Sequence, residues 1–181
     1  IYLWLFGALE LLILILFREK LRLDHPIAWL YLVTLIVNAV AAVVGTVDWL
    51  RLRPSTDPAL LPRVPLQLAQ TIIFVLFVSF LGIYALVAQI GWPGTHGGIF
   101  PEEMSLFTLR SFGAFYFSLA MSAVPLLWAR GRMAFLNFMF GESMLILTIT
   151  AAALRYINVF DFRARPGGLI YIGVYIIVGI V

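Results

Sequence analysis

The sequence has no cysteine, one lysine and two histidines, and only 12% of its 181 residues are charged. Without cysteine there is no disulfide framework, thiolate metal site, iron–sulfur cluster or cysteine nucleophile. The single lysine, Lys20, lies in a charged run, so no buried amine is present to form a Schiff base. His25 and His96 both fall outside the apolar runs, which removes axial histidine ligation of a deeply placed haem. Walker, GxGxxG and HExxH patterns are missing. The eleven arginines are scattered rather than gathered into a patch, which argues against a nucleic-acid partner.

What the chain does contain is hydrocarbon. Apolar residues make up 63% of it and the mean hydropathy is +1.04, whereas a water-soluble domain is about 45–50% apolar and about 25% charged. The solvent for most of this chain is therefore expected to be lipid. About 20 apolar residues cross about 30 Å of hydrocarbon, and the segregated charges divide the sequence into six such runs at residues 1–17, 26–47, 65–90, 109–129, 133–154 and 167–181. Lipid offers no hydrogen bonds to an open backbone, and these runs are too long for barrel strands, so each is expected to be a helix. The expectation is an all-α, polytopic integral membrane helical bundle forming a single transmembrane domain over residues 1–181, with about six transmembrane helices. The prolines at positions 54, 58 and 62 predict that no helix runs through 48–64, and the three-residue separator 130–132 predicts a tight antiparallel hairpin of the fourth and fifth spans. Ile1 is not an initiator Met and the last run stops after fifteen residues, so both ends read as cut.

The Lys/Arg bias of the loops does not resolve orientation. Parity still places Asp24, His25, His96, Glu102, Glu103 and Asp161 on one side of the membrane, here termed the histidine side.

Nineteen of the twenty-one charged residues fall in or beside the loops; Glu10 and Glu142 do not. At 1.5 Å per residue, Glu142 is roughly 15–20 Å from either end of its span. Ionisable groups at such depth are expensive and by default face a bundle interior or a cavity. Asn38 lies at comparable depth in the second span, so Glu10, Asn38 and Glu142 are expected to share a layer. They have two readings. One is a proton or cation relay. The other is a set of hydrogen-bonded ties between helices at about 0.6–2 kcal/mol each, and the small number of buried carboxylates favours it.

Small residues recur at four-residue spacing in two spans: Thr34, Asn38, Ala42 and Thr46 in the second, and Ala114, Ser118 and Ser122 in the fourth. Such stripes let helix backbones approach, so they are read as packing seams. Residues 91–108 carry His96, Glu102 and Glu103, with Pro101 placed to start a short interfacial helix and Phe100 placed to lie on the interface. One histidine with two adjacent carboxylates is a poor ligand set, and no metal is expected. Arg155, Arg163 and Arg165 form a basic cluster suited to lipid headgroups or an acidic partner, or to an ordinary snorkelling boundary.

The absence of catalytic groups favours a non-enzymatic integral membrane subunit, an accessory or scaffold component of a larger complex, with membrane lipid and other membrane subunits as partners. The alternatives are a small-solute or proton transporter using Glu10 and Glu142, and a lipid-modifying enzyme acting at the histidine side. No cofactor is expected, although a bound lipid or pigment would suit the Phe-rich faces. The expressed chain should stay in the membrane pellet through an alkaline carbonate wash and leave it only with detergent; recovery in the supernatant would contradict the lipid-solvent assignment.

Overall fold

Uncharged runs rich in Leu, Ile, Val and Phe have to satisfy their own backbone, and they do so as helices. The computed structural model describes residues 1–52, 65–88, 98–100, 103–128 and 132–180, and among them there is no strand. Six α-helices follow in order: α1 (Tyr2–Leu16), α2 (Pro26–Leu52), α3 (Pro65–Val87), α4 (Leu106–Ala123), α5 (Arg132–Arg155) and α6 (Gly168–Ile180). Three of these helices are long and apolar enough to cross a membrane, over Pro26–Leu52, Pro65–Val87 and Ala134–Arg155. α1 has 15 residues and α6 has 13, short of the ~20 that a full crossing takes. α4 has 18 residues and carries Arg110.

Two boundaries differ from expectation. α2 continues through Asp48, Trp49 and Arg51 to Leu52, so the first part of the proline-rich link is helical. Nothing in residues 48–52 breaks a helix, and the stop signal is Pro54, whose ring disfavours helical backbone at the residue before it. At the start of α4, Ser105 is the N-cap and its Oγ accepts from the Thr108 amide at 3.2 Å, the usual way to satisfy one of the open N–H groups. At the far end Pro125 has no amide to give. The α-helix stops at Ala123 and the chain leaves as a 3₁₀ turn, Val124–Leu127.

α3 and α4 form the closest pair in the bundle. α3 buries Gln67, Thr71, Phe74, Val78, Leu81 and Ala85, alternating four- and three-residue steps that keep one seam facing inward. Two glycines set the distance. A Cβ on Gly82 would stand 2.5 Å from the backbone nitrogen of Phe117, and one on Gly113 would stand 2.7 Å from that of Leu86. Four residues forward on one helix correspond to four back on the other, so the two contacts define one antiparallel register. Arg110 strengthens it by donating to the carbonyls of Ala85 and Ala88 at 2.6 and 2.7 Å. These are open carbonyls at the C-terminal end of α3, where a cation is also favoured by the helix dipole.

The remaining helices attach to this pair. α1 lies against α4 and α2 lies against α1, while α6 packs on α3 and α5 on α6. The fourth and fifth spans do not pack tightly along their lengths: the close backbone approach of α5 is to α6, while Tyr116 and Leu119 of α4 meet Glu142, Leu145 and Ile146 of α5 around a shared cavity. The surface left outside is apolar, with Leu30, Ile36, Val40 and Val44 of α2 all more than half exposed.

Gly82→Leu should force the α3–α4 backbones apart and lower stability by about 1–3 kcal/mol, the usual cost of overpacking. Gly141→Leu, at a position with nothing within 4 Å, should change it by no more than about 0.5 kcal/mol. Thermal unfolding in detergent measures both, and equal effects would contradict the seam.

Candidate functional site

The hairpin of α1 and α2 is held by side chains that reach across it. Tyr31 donates from its hydroxyl to Glu10 Oε2 at 2.6 Å, Asn38 donates to the Leu3 carbonyl at 2.9 Å, and the Trp4 indole donates to Thr46 Oγ1 at 2.8 Å. Asn38 fits because a Cβ on Gly7 would lie only 2.7 Å from its amide nitrogen. Seven residues forward from Tyr31 to Asn38 correspond to seven back from Glu10 to Leu3. Asn38 therefore sits about two turns, roughly 10 Å, from Glu10 along the hairpin. The single layer expected for Glu10, Asn38 and Glu142 is not present, since the antiparallel register puts the first two at different depths.

Glu10 is the hub. It is 1% exposed, and Ser111 on α4 also donates to its Oε2, at 3.1 Å, so one carboxylate oxygen joins α1, α2 and α4. Among the described residues no group donates to Oε1. The carboxylate borders a crevice of about 610 Å³ lined by Phe6, Tyr31, Phe107, Phe115, Tyr116 and Tyr171, with Thr34, Thr108 and Ser111 as further hydroxyls. No lysine, arginine or histidine is among the described residues that line it. Arg110, one position from Ser111, has its guanidinium committed to the end of α3. Tyr31 is five residues from the start of α2, Ser111 five from the start of α4, and Tyr171 three from the start of α6. The crevice thus lies about 5–8 Å inside the histidine end of the helices.

Glu142 lies deeper. It is buried and lines a small enclosed cavity with Phe74, Val78, Leu145, Tyr116 and Tyr175. Its Oε2 has no hydrogen-bond partner, so Glu142 does not act as a hydrogen-bonded tie between helices among the described residues. Tyr116 and Ile149 line both this cavity and the crevice. Tyr116 also shares hydrogen bonds with the hydroxyls of Tyr171 and Tyr175. Ser118, on the Tyr116 helix, is fully buried with its Oγ unpartnered.

The other sequence candidates disperse. On α2, Ala42 is buried and Thr46 half-buried, while Thr34 is exposed and donates to its own helix at Leu30. On α4, Ala114 is fully buried and Ser122 is half-buried, bonded back to Leu119. His25 is exposed at the start of α2, and Glu103 is exposed; His96 and Glu102 lie outside the described residues. Arg155 and Arg163 are exposed and Arg165 is half-buried. Asp161 accepts from the amides of Arg163 and Ala164 at 3.0 Å each, shaping the turn before α6. Phe100 does not lie on an interface. It is 1% exposed, packed among Tyr84, Phe112 and Tyr171, because Gly98 lies so close to Gly167 that a side chain there would collide with it. Among the described residues no three acidic or histidine side chains converge on a metal position.

Sequence reasoning singled out Glu10 but missed Tyr31, Ser111 and Tyr116. Tyr31 was accessible from the hairpin register once Asn38 is paired with Leu3; Ser111 and Tyr116 carry no such local signal. Compared with protein families, curated proteins and solved structures, the chain matches none of them.

Tyr31→Phe keeps the ring and removes one of the two donors to Glu10. It should destabilise the detergent-solubilised protein by about 0.6–2 kcal/mol, the range for interhelical polar contacts, seen as a lowered unfolding temperature. An unchanged transition would show that the Glu10 contact does not hold the hairpin.

Proposed function

We propose that this chain is a multi-pass membrane protein of six spans that moves a proton or a small solute, with Glu10 and Glu142 as its two stations. The observation that supports this most directly is the pair of adjoining spaces that share Tyr116, one bordered by the Glu10 carboxylate and the other by Glu142. Buried carboxylates in a membrane pair with a cation, tie helices together or serve a pathway. Neither has a cation among its hydrogen-bond or ion-pair partners in the described residues. Glu142 makes no tie, which leaves the pathway as the role that accounts for it.

The depths order the groups. Glu10 and the crevice are near the histidine end, Tyr116 is about 15 Å in along α4, and Glu142 is about 20 Å from the end of α5. Tyr116 borders both spaces and shares hydrogen bonds with the Tyr171 and Tyr175 hydroxyls, and each of these groups can both donate and accept. In proteoliposomes with an imposed pH gradient, Glu142→Gln should reduce flux to the level of empty vesicles, and Tyr116→Phe should slow it about tenfold or more, typical of losing a relay group. Flux unchanged in Glu142→Gln would overturn the proposal.

A second reading, a non-enzymatic subunit of a larger membrane complex, is favoured by α5. Among the described residues its close backbone approach is to α6, while Asn137, Gly141 and Thr148 lie on one exposed face with open space at Gly141. An uncovered face of small and polar residues suits another helix better than lipid. Under this reading a second membrane protein should co-purify in mild detergent, and Gly141→Leu should release it.

A further inference from the structure

We infer that the crevice beside Glu10 binds an organic ammonium ion, a protonated amine carried on an apolar body. The inference rests on the membrane placement and on the role for Glu10 given above, and it names the class of solute that this site would take.

Charge, shape and access point the same way. Among the described residues that line it, the crevice has one anionic group and no cation. Tyr31 and Ser111 both donate to Oε2, which holds the carboxylate in place and leaves Oε1 with no donor among the described residues. A protonated amine supplies the missing N–H and the missing positive charge together, and a charge-assisted bond of this kind is roughly twice as strong as a neutral one. A metal ion fits poorly, since a single carboxylate with aromatic neighbours does not make the six or more oxygen ligands that a hard cation takes.

The walls select for the rest of the molecule. Phe6, Phe107, Phe115, Tyr31, Tyr116 and Tyr171 surround the space, and aromatic faces attract cations as well as covering apolar surface. A volume of about 610 Å³ is within the range of small-molecule sites. Anions are disfavoured by Glu10 itself, and a neutral apolar molecule leaves Oε1 unanswered.

Access is lateral. The crevice is walled by Tyr31, Thr34 and Leu35 of α2 on one side and by Ile149 and Ala152 of α5 on the other, and these two helices are not in close backbone contact. Thr34 and Ala152 are exposed. The gap between α2 and α5 runs from about 5 to about 14 Å from the helix ends, and its outer part lies at the depth where amphiphiles rest with the charged head near the interface. A protonated amine dissolved in that layer reaches Glu10 without crossing bulk hydrocarbon.

The test is equilibrium binding to the full chain purified in a neutral detergent, with phenethylammonium, phenethyl alcohol and phenylacetate as probes of one size and three charges. The ammonium ion should bind about tenfold or more tightly than the alcohol, a difference of about 1.4 kcal/mol, and phenylacetate should bind weakest. In Glu10→Gln the preference for the ammonium over the alcohol should fall to within about twofold. Equal binding of ammonium and alcohol to the native chain, or an undiminished preference in Glu10→Gln, overturns the inference. If Glu10→Gln does not fold, the comparison of the three probes on the native chain decides the matter. Ammonium-selective binding together with absent flux in the proteoliposome assay would refute transport and leave this site standing. Flux that depends on Glu142 without ammonium selectivity would refute this site alone.

Discussion

A carboxylate that is 1% exposed inside a body whose outer surface is hydrocarbon has no water to fall back on. Its neighbours have to supply what water would. Glu10 finds two hydroxyls on two other helices, and both donate to the same oxygen. That arrangement fixes the rotation of α1 against α2 and α4, because turning any one of them by a fraction of a helical turn would strand the charge. It also determines the chemistry of the site, since the second oxygen has no donor and the crevice that Glu10 borders has no cation among the described residues. The crevice exists where it does because the polar rungs of the hairpin, Tyr31 to Glu10 and Asn38 to Leu3, hold α1 and α2 in register while α5 follows α6.

The bundle is uneven in its packing, and the unevenness has a simple origin in residue size. Gly82 and Gly113 allow α3 and α4 to touch backbone to backbone. Hydrophobic association offers little between helices in lipid, so close van der Waals contact of this kind is a main source of adhesion. Where the facing residues are Phe107, Phe115, Tyr116 and Tyr171, the helices stand off and space remains between the rings. The tight seam is a frame, and the aromatic region beside it is the part left open to a ligand. Arg110 belongs to the frame rather than to the site. Its guanidinium closes the open end of α3, which keeps the crevice free of a positive charge that would otherwise neutralise Glu10.

Much of the helical layout was legible in the sequence, as was the identity of the buried carboxylates. Charge segregation located all six helices, and the two glutamates away from the loops, Glu10 and Glu142, are the two that border internal spaces. The end of α2 was misplaced because a proline-rich link was treated as uniformly non-helical, although helix-breaking acts only from the residue before the first proline. Phe100 was assigned to an interface by its neighbours in sequence, whereas a glycine contact between Gly98 and Gly167 draws it into the core. The pairing of α4 with α5 is looser than a short separator suggests, because bulky Tyr116 and Leu119 meet Glu142 and Ile146 around a cavity rather than backbone to backbone.

By itself the sequence determined which stretches avoid water, that they must be helical, and that Glu10 and Glu142 fall inside such stretches, because each follows from composition and from the need of an apolar run to satisfy its own backbone. Only the tertiary structure decided which groups the two carboxylates meet. Glu10 with Tyr31 and Ser111, and Glu142 with a small cavity beside Tyr116, depend on helix rotation and register. Those are set by side-chain contacts between segments up to about a hundred residues apart, and no local periodicity encodes them.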